Sequence, residues 1–147
     1  MEEIIKEKTS ADHLLYVSLK YTKTCDVILN LIARWKSMIE LSFDGIIEEG
    51  VRNKKIPASP ISPKQKVEFV KKYFKKSEPI QEILPLYLFF KRIPELNKTR
   101  EGEFRKNVAL KIIENGKITS ITMDVLTEYA KKVDVFIAEI KQMLLGS

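Results

Sequence analysis

The sequence predicts a mainly α-helical bundle with a small β-hairpin near its C-terminus, and three observations favour this fold class. Apolar residues recur every three or four positions over residues 11–53, a segment without proline, as they do along the buried face of a helix. Asn115-Gly116 separates two β-branched runs, the strongest short-range pattern for a hairpin. Of the 147 residues, 44% are hydrophobic and 31% charged, which is typical of a folded globular chain and excludes a mainly disordered one.

Residues 11–53 form the longest helical segment, and Thr9 or Ser10 is expected to cap its start. A single helix of this length would extend about 64 Å at 1.5 Å per residue. The favoured break lies at Thr22-Lys23-Thr24, because β-branched threonines weaken a helix and Thr24 can cap a second one. Gly45 is a weaker candidate for a break. The pattern leaves open one long helix or two.

A proline-rich segment, residues 56–63, ends this helical region because its three prolines favour an extended or turning chain. Ser62 and Pro63 then have the types expected of an N-cap and a first helical residue. They predict a short helix to about Lys76.

Ser77 is expected to start a further helix over residues 80–93, which Pro94 closes. Pro85 lies inside this apolar run. It should either kink the helix or separate two helices.

The C-terminal third differs from the helical region in its residue pattern. Residues 97–106 are polar and are predicted to be an exposed connection, and residues 108–113 and 118–122 are predicted to form the two strands of the hairpin. The alternative is a helix that ends at Asn115-Gly116 as its C-cap. Thr122 is expected to cap a final helix.

The length suits a single domain, 1–147, in which a helical bundle (10–93) packs against the hairpin and C-terminal helix (107–147). The first residues lack the pattern of a secretory signal, and no apolar run is long enough to span a bilayer. We therefore expect a cytoplasmic protein without a membrane partner.

The sequence contains no recognisable catalytic or cofactor-binding constellation. Its five glycines are too scattered for a phosphate-binding loop, and one histidine with one cysteine excludes the usual zinc ligand sets. His13 and Cys25 would stand about 18 Å apart along one straight helix, out of reach for a nucleophilic pair. Cys25 is expected to be a small buried apolar residue. We therefore predict no enzyme activity, no metal and no cofactor.

One polar set could still bind a small ligand or lie between helices. His13 stands in an early helical turn, and three other polar residues could gather near it. This candidate site consists of His13, Tyr16, Lys20 and Arg34.

The basic residues concentrate in the middle of the chain. Residues 51–111 carry 16 basic and 6 acidic side chains, whereas the whole chain has a net charge of +6. A concentrated positive surface can contact phosphates, although a solvated helix face gives the same pattern. The candidate nucleic-acid-binding residues are Lys64, Lys71, Lys72, Lys75, Lys76, Lys91 and Arg92. Lysine predominates over arginine, which favours non-specific contacts over base reading.

The pattern of the N-terminal helices resembles that of a known protein superfamily. The opening Asp12-His-Leu-Leu-Tyr-Val-Ser-Leu-Lys-Tyr-Thr-Lys-Thr24, followed by a long amphipathic helix, resembles small archaeal and bacterial members of the HEPN superfamily over residues 10–93. The resemblance implies a compact helical bundle that dimerises and, in many members, acts as a ribonuclease or partners a nucleotidyltransferase. The family's catalytic Arg, followed four to six residues later by His, is missing, because no Arg precedes the only histidine, His13. The resemblance therefore implies no ribonuclease activity for this chain.

Taken together, these patterns favour a non-catalytic α-helical module that acts by homodimerisation or with a partner protein. The motivation is a long amphipathic N-terminal segment with more apolar surface than one domain easily buries. The alternative is non-specific binding of RNA or DNA through residues 64–76.

Overall fold

The computed structural model describes residues 1–146 and consists of a helical bundle with a small antiparallel sheet. The helices are α1 (Glu2–His13), α2 (Leu19–Tyr21), α3 (Cys25–Arg52), α4 (Pro63–Tyr73), α5 (Glu78–Arg92) and α6 (Met123–Leu145). A π-helical turn, Leu14–Ser18, joins α1 to α2, and a 3-10 turn, Ile93–Glu95, follows α5. The strands are β1 (Asn97–Glu101), β2 (Ala109–Glu114) and β3 (Lys117–Thr122). The predicted fold class is confirmed.

The N-terminal helix begins earlier than the sequence predicts. Helix α1 starts at Glu2, so the expected cap at Thr9 or Ser10 is wrong. The Thr9 hydroxyl instead donates to the carbonyl of Ile5 inside the helix (3.0 Å). Burial of Ile4 extends the apolar stripe of Ala11 toward the N-terminus, and this burial favours the additional turns.

The long segment consists of two helical parts that break where the sequence suggests. Thr24 is extended (φ −121°, ψ 155°), and its hydroxyl accepts a hydrogen bond from the Val27 amide (3.3 Å). This is the N-cap geometry that starts α3. Gly45 lies inside α3 and does not interrupt it.

Helices α4 and α5 both start with the predicted serine caps. The hydroxyl of Ser62 accepts from the Gln65 amide, and that of Ser77 accepts from the Ile80 amide. Helix α4 ends at Tyr73, slightly before the expected Lys76. Helix α5 continues through Pro85, so this proline does not separate two helices.

The hairpin is confirmed, and the sheet has a third strand that the sequence analysis missed. Asn115 and Gly116 both have positive φ (51° and 77°), as a type I′ turn requires. The prediction that residues 97–106 are only an exposed connection is wrong, because β1 pairs antiparallel with β2. Its side chains are mostly exposed, so this strand lacks the apolar alternation by which strands are recognised.

Helix α3 lies at the centre of the core. Its Trp35 ring stacks on Phe90 of α5 (5.9 Å between centroids), and its Phe43 ring meets Tyr87 of α5 and Phe136 of α6 edge to face (5.4 and 5.8 Å). The sheet packs near the first turn of α3, where the Cys25 thiol donates to the Ala109 carbonyl (3.4 Å). Helix α4 follows the other end of α3.

Two glycines of α3 should respond in opposite ways to alanine. A Cβ on Gly50 would lie 2.6 Å from Cδ1 and 2.9 Å from Cγ1 of the buried Ile56, so we expect Gly50→Ala to destabilise the protein by about 1–3 kcal/mol. At Gly45 the nearest atom is Cδ1 of the half-buried Leu144, at 3.0 Å. That side chain can move, and alanine favours helix, so Gly45→Ala should be neutral or stabilising by up to about 1 kcal/mol.

Urea denaturation of both variants measures this difference directly. Equal destabilisation of the two would contradict the close packing of Ile56 on α3.

Candidate functional site

A surface groove lies between α1 and α3. It has a volume of about 400 Å³. Its lining residues are Thr9, Ser10, His13, Leu14 and Arg34. The structure therefore brings together His13 and Arg34 from the predicted ligand site, and it adds two hydroxyl residues that sequence analysis did not assign to the site.

Arg34 is already engaged within this groove. Its Nη1 lies 3.3 Å from both carboxylate oxygens of Glu7 on α1. The Arg34 side chain is half exposed and that of Glu7 is 21% exposed, so solvent screens the pair and it contributes little to stability. It does set the position of the guanidinium at the groove wall.

The other two predicted ligand-site residues do not line the groove. Tyr16 is 60% exposed, and the Lys20 ammonium lies 5.8 Å from the centroid of the Tyr21 ring. The four predicted residues therefore do not form one pocket. His13, Tyr16 and Lys20 share the solvent-facing surface of the N-terminal helical segment, whereas Arg34 belongs to α3.

This segment displays apolar side chains to solvent. Tyr16 and Val17 (41% exposed) lie in the π-helical turn, and Tyr21 (77% exposed) follows at the end of α2. A π turn is rare and often marks a functional position. We call Leu14, Tyr16 and Val17, together with the adjoining groove, the N-terminal surface.

The predicted basic residues are all exposed. Lys64, Lys71, Lys72, Lys75 and Lys76 lie on or just beyond α4, and Lys91 and Arg92 lie at the end of α5. The structure links the two sets through a groove of about 620 Å³ that Lys71 and Arg92 both line. Gln81, Leu84, Pro85 and Leu88 complete its lining.

These basic residues differ in whether their charge is already paired with a carboxylate. Arg92 makes two hydrogen bonds to Glu114 (2.7 and 3.2 Å), and Lys71 has a distant partner in Glu68 (3.9 Å). The other five make no ion pair within residues 1–146. The freely available charge is therefore concentrated on α4 and at Lys91.

Sequence analysis also missed a loop between β1 and β2 that presents an aromatic ring. Phe104 is 75% exposed and has a positive φ of 66°. Its amide donates to the Lys23 carbonyl (2.7 Å), which fixes the loop against the link between α2 and α3. No sequence pattern reveals this conformation, because an isolated phenylalanine is most often a core residue.

Cys25 is buried, as predicted. Burial raises the pKa of its thiol, and the nearby Glu103 carboxylate raises it further. A thiol with a raised pKa is a poor nucleophile at neutral pH. Among the described residues, no group of three His, Cys, Asp or Glu side chains could hold a metal ion.

No helix within residues 1–146 is long and apolar enough to cross a membrane. No protein-family model, curated protein or solved structure matches the chain. Functional inference therefore rests on the surfaces themselves.

The burial of Cys25 makes a prediction about thiol reactivity. At neutral pH and without denaturant, we expect Ellman's reagent to label Cys25 slowly and to label it fully on unfolding. The exposed variant Val135→Cys, made in a Cys25→Ala background, should react quickly because Val135 is 56% exposed. Fast, complete labelling of native Cys25 would contradict its packing against Ala109.

Proposed function

We propose that this protein is a non-catalytic helical module that forms a homodimer through its N-terminal surface. The observation that carries the proposal is the π-helical turn, which displays Tyr16 and Val17 beside the groove between α1 and α3. Apolar side chains grouped at a groove are typical of association sites. The proposal commits to a second copy of the chain as the occupant.

The electrostatics of the groove suit contact between two copies. Arg34 lines the groove and pairs with Glu7 of α1 next to it, so each copy of a symmetric pair would bring a basic and an acidic side chain to the interface. In an isologous interface both copies use the same surface patch. If residue i of one copy contacts residue j of the other, residue j of the first copy also contacts residue i of the second. Mixed charge within the patch supports this kind of self-complementary contact.

A HEPN-like origin is part of the same proposal. The predicted resemblance covers residues 10–93, which include the N-terminal surface apart from Thr9, and members of that superfamily often dimerise. Because the family's Arg–His signature is missing from the sequence, we propose that association, without ribonuclease activity, is the function retained.

A single substitution that places a charged side chain in the proposed interface tests the dimer. Val17→Glu would place a carboxylate without a counter-charge in the interface, which opposes association. We expect the dimer dissociation constant to rise at least tenfold, or about 1.4 kcal/mol. Sedimentation equilibrium of wild type and variant measures it.

The matched control is Val135→Glu, which makes the same change at an exposed valine of α6 (56% exposed). It should leave the dimer unchanged. A wild-type protein that stays monomeric at tens of micromolar would refute the homodimer, and dimerisation that survives Val17→Glu would refute this surface. Thermal melting of both variants verifies that they fold.

A second candidate function is non-specific binding of nucleic acid by α4. The observation that favours it is the set of exposed lysines without ion pairs beside the groove of Lys71 and Arg92. When lysines neutralise phosphates, the affinity falls as the salt concentration rises. For a single strand, the logarithm of the affinity falls against the logarithm of the salt concentration with a slope of about 0.7 for each phosphate contact.

The triple variant Lys71→Glu, Lys72→Glu, Lys75→Glu tests this second function. Binding of labelled RNA should weaken by more than about tenfold, and the salt slope should fall by roughly 2. The control carries the same change of charge at Lys117, Lys132 and Lys141 and should bind as wild type does. Unaltered binding by the α4 variant would exclude α4 as the contact surface.

A further inference from the structure

Exposed aromatic rings are unevenly distributed over the molecule. The chain has 7 Phe, 5 Tyr and 1 Trp, and among residues 1–146 only Tyr16, Tyr21 and Phe104 are exposed aromatic residues. Two of these, Tyr21 and Phe104, belong to segments that a hydrogen bond joins directly, from the Phe104 amide to the Lys23 carbonyl (2.7 Å). Aromatic exposure is therefore concentrated at the end of the bundle where α3 begins.

The conformation of Phe104 is unfavourable for its side chain. Positive φ is rare for residues with a Cβ and is an outlier for a bulky one. The two other such residues within 1–146, Lys54 and Asn115, have polar side chains that suit loops. A ring held in this conformation and left 75% in solvent gains little from folding, and such strain is often kept at binding sites.

The loop that carries Phe104 is held at several points. The Glu103 carboxylate accepts a hydrogen bond from the Cys25 amide at the start of α3 (3.2 Å), and Arg105 donates through its amide to the Gly102 carbonyl (2.9 Å). Gly102 itself has φ +63°, and a Cβ there would lie 2.8 Å from the Asn107 carbonyl oxygen. The ring is thus presented on a fixed loop, which lowers the entropy lost on binding.

Basic residues stand next to both aromatic residues in the sequence, and the Lys20 ammonium lies 5.8 Å from the centroid of the Tyr21 ring. Arg105 and Lys106 follow Phe104 in the loop, and Lys20 and Lys23 flank Tyr21. These four make no ion pair in the part of the chain that the structure describes. By contrast, the acidic side chains nearby are engaged, because Asp26 and Glu103 both contact Arg100 (2.8 and 3.6 Å). The surface therefore has available positive charge.

We name this set the stacking surface. It consists of Lys20, Tyr21, Lys23, Phe104, Arg105 and Lys106. We propose that the stacking surface binds single-stranded nucleic acid, with the rings stacking on bases and the cations contacting phosphates.

The chemistry favours a single strand over the alternatives. Single-strand-binding proteins combine aromatic platforms with a positive surface, and both are present here. Bases in a duplex are already stacked on one another, so a duplex would use the cations alone. The surface lies at the start of α3, whereas α4 packs farther along it, because Lys66 of α4 pairs with Asp44, about 28 Å from Cys25 along the helix at 1.5 Å per residue. It is separate from the α4 lysines and does not depend on the proposed homodimer.

Phe104→Gly is the sharpest variant, because glycine removes the ring and also relieves the positive φ. We expect its melting temperature to equal or exceed that of wild type. Its affinity for a labelled 12-nucleotide poly(U) RNA, measured by fluorescence anisotropy, should fall at least about fivefold, as loss of one stacked base implies. Phe104→Trp should retain binding, since it keeps a ring.

The salt dependence separates this proposal from binding by α4. Phe104→Gly should weaken binding without changing the salt slope, since no phosphate contact is lost. Val17→Glu, which targets the homodimer, should leave RNA binding unchanged. Failure of one proposal therefore leaves the other standing.

Three outcomes would overturn the proposal. The first is no binding of poly(U) by wild type even at low salt. The second is full affinity in Phe104→Gly. The third is equal affinity of wild type for the single strand and for a duplex of the same length, because that result would show that the rings are not used.

Discussion

Packing around α3 is the constraint on which the rest of the structure depends. Its Trp35 and Phe43 contact aromatic rings from α5 and α6, and its first turn meets the sheet through Cys25 and Ala109. Aromatic contacts of this kind contribute about 0.5–1.5 kcal/mol beyond burial of area. Because α3 is packed on several sides in this way, the candidate surfaces are formed mainly by the elements around it, with Arg34 as its contribution to the groove.

The N-terminal segment occupies one side of this arrangement and is fixed by charge as well as by packing. Lys8 bonds to Asp12 of its own helix (2.7 Å) and to Asp134 of α6 (3.1 Å). Partial burial opposes the charge of Lys8, but the two carboxylates outweigh it and raise its pKa. Arg34 links the segment to α3 through Glu7. A helix held from both sides can present the π turn in a fixed position.

Local features of the fold could be predicted from sequence, whereas features that depend on distant partners could not. The caps at Thr24, Ser62, Ser77 and Thr122 follow from residue type, because each hydroxyl accepts from the amide three positions later. The Asn115-Gly116 turn is equally local.

Two features show what the local sequence could not predict. They are strand β1 and the groove lined by His13 and Arg34. The strand has no apolar residue and forms through pairing with β2, which no pattern within residues 97–101 reveals. His13 and Arg34 meet because α1 packs on α3, while Tyr16 and Lys20, grouped with them by sequence, lie outside that groove. Sequence reasoning found the charged residues but not the position of Phe104, whose backbone conformation is set by the Lys23 carbonyl.

Amide hydrogen exchange at low and at high protein concentration tests the central claim of association most directly. The account predicts that amides of residues 9–17 become more protected in the concentrated sample, while those of α4 and the β1–β2 loop exchange equally in both. Protection that does not change with concentration anywhere in the chain, or that changes only away from residues 9–17, would contradict it.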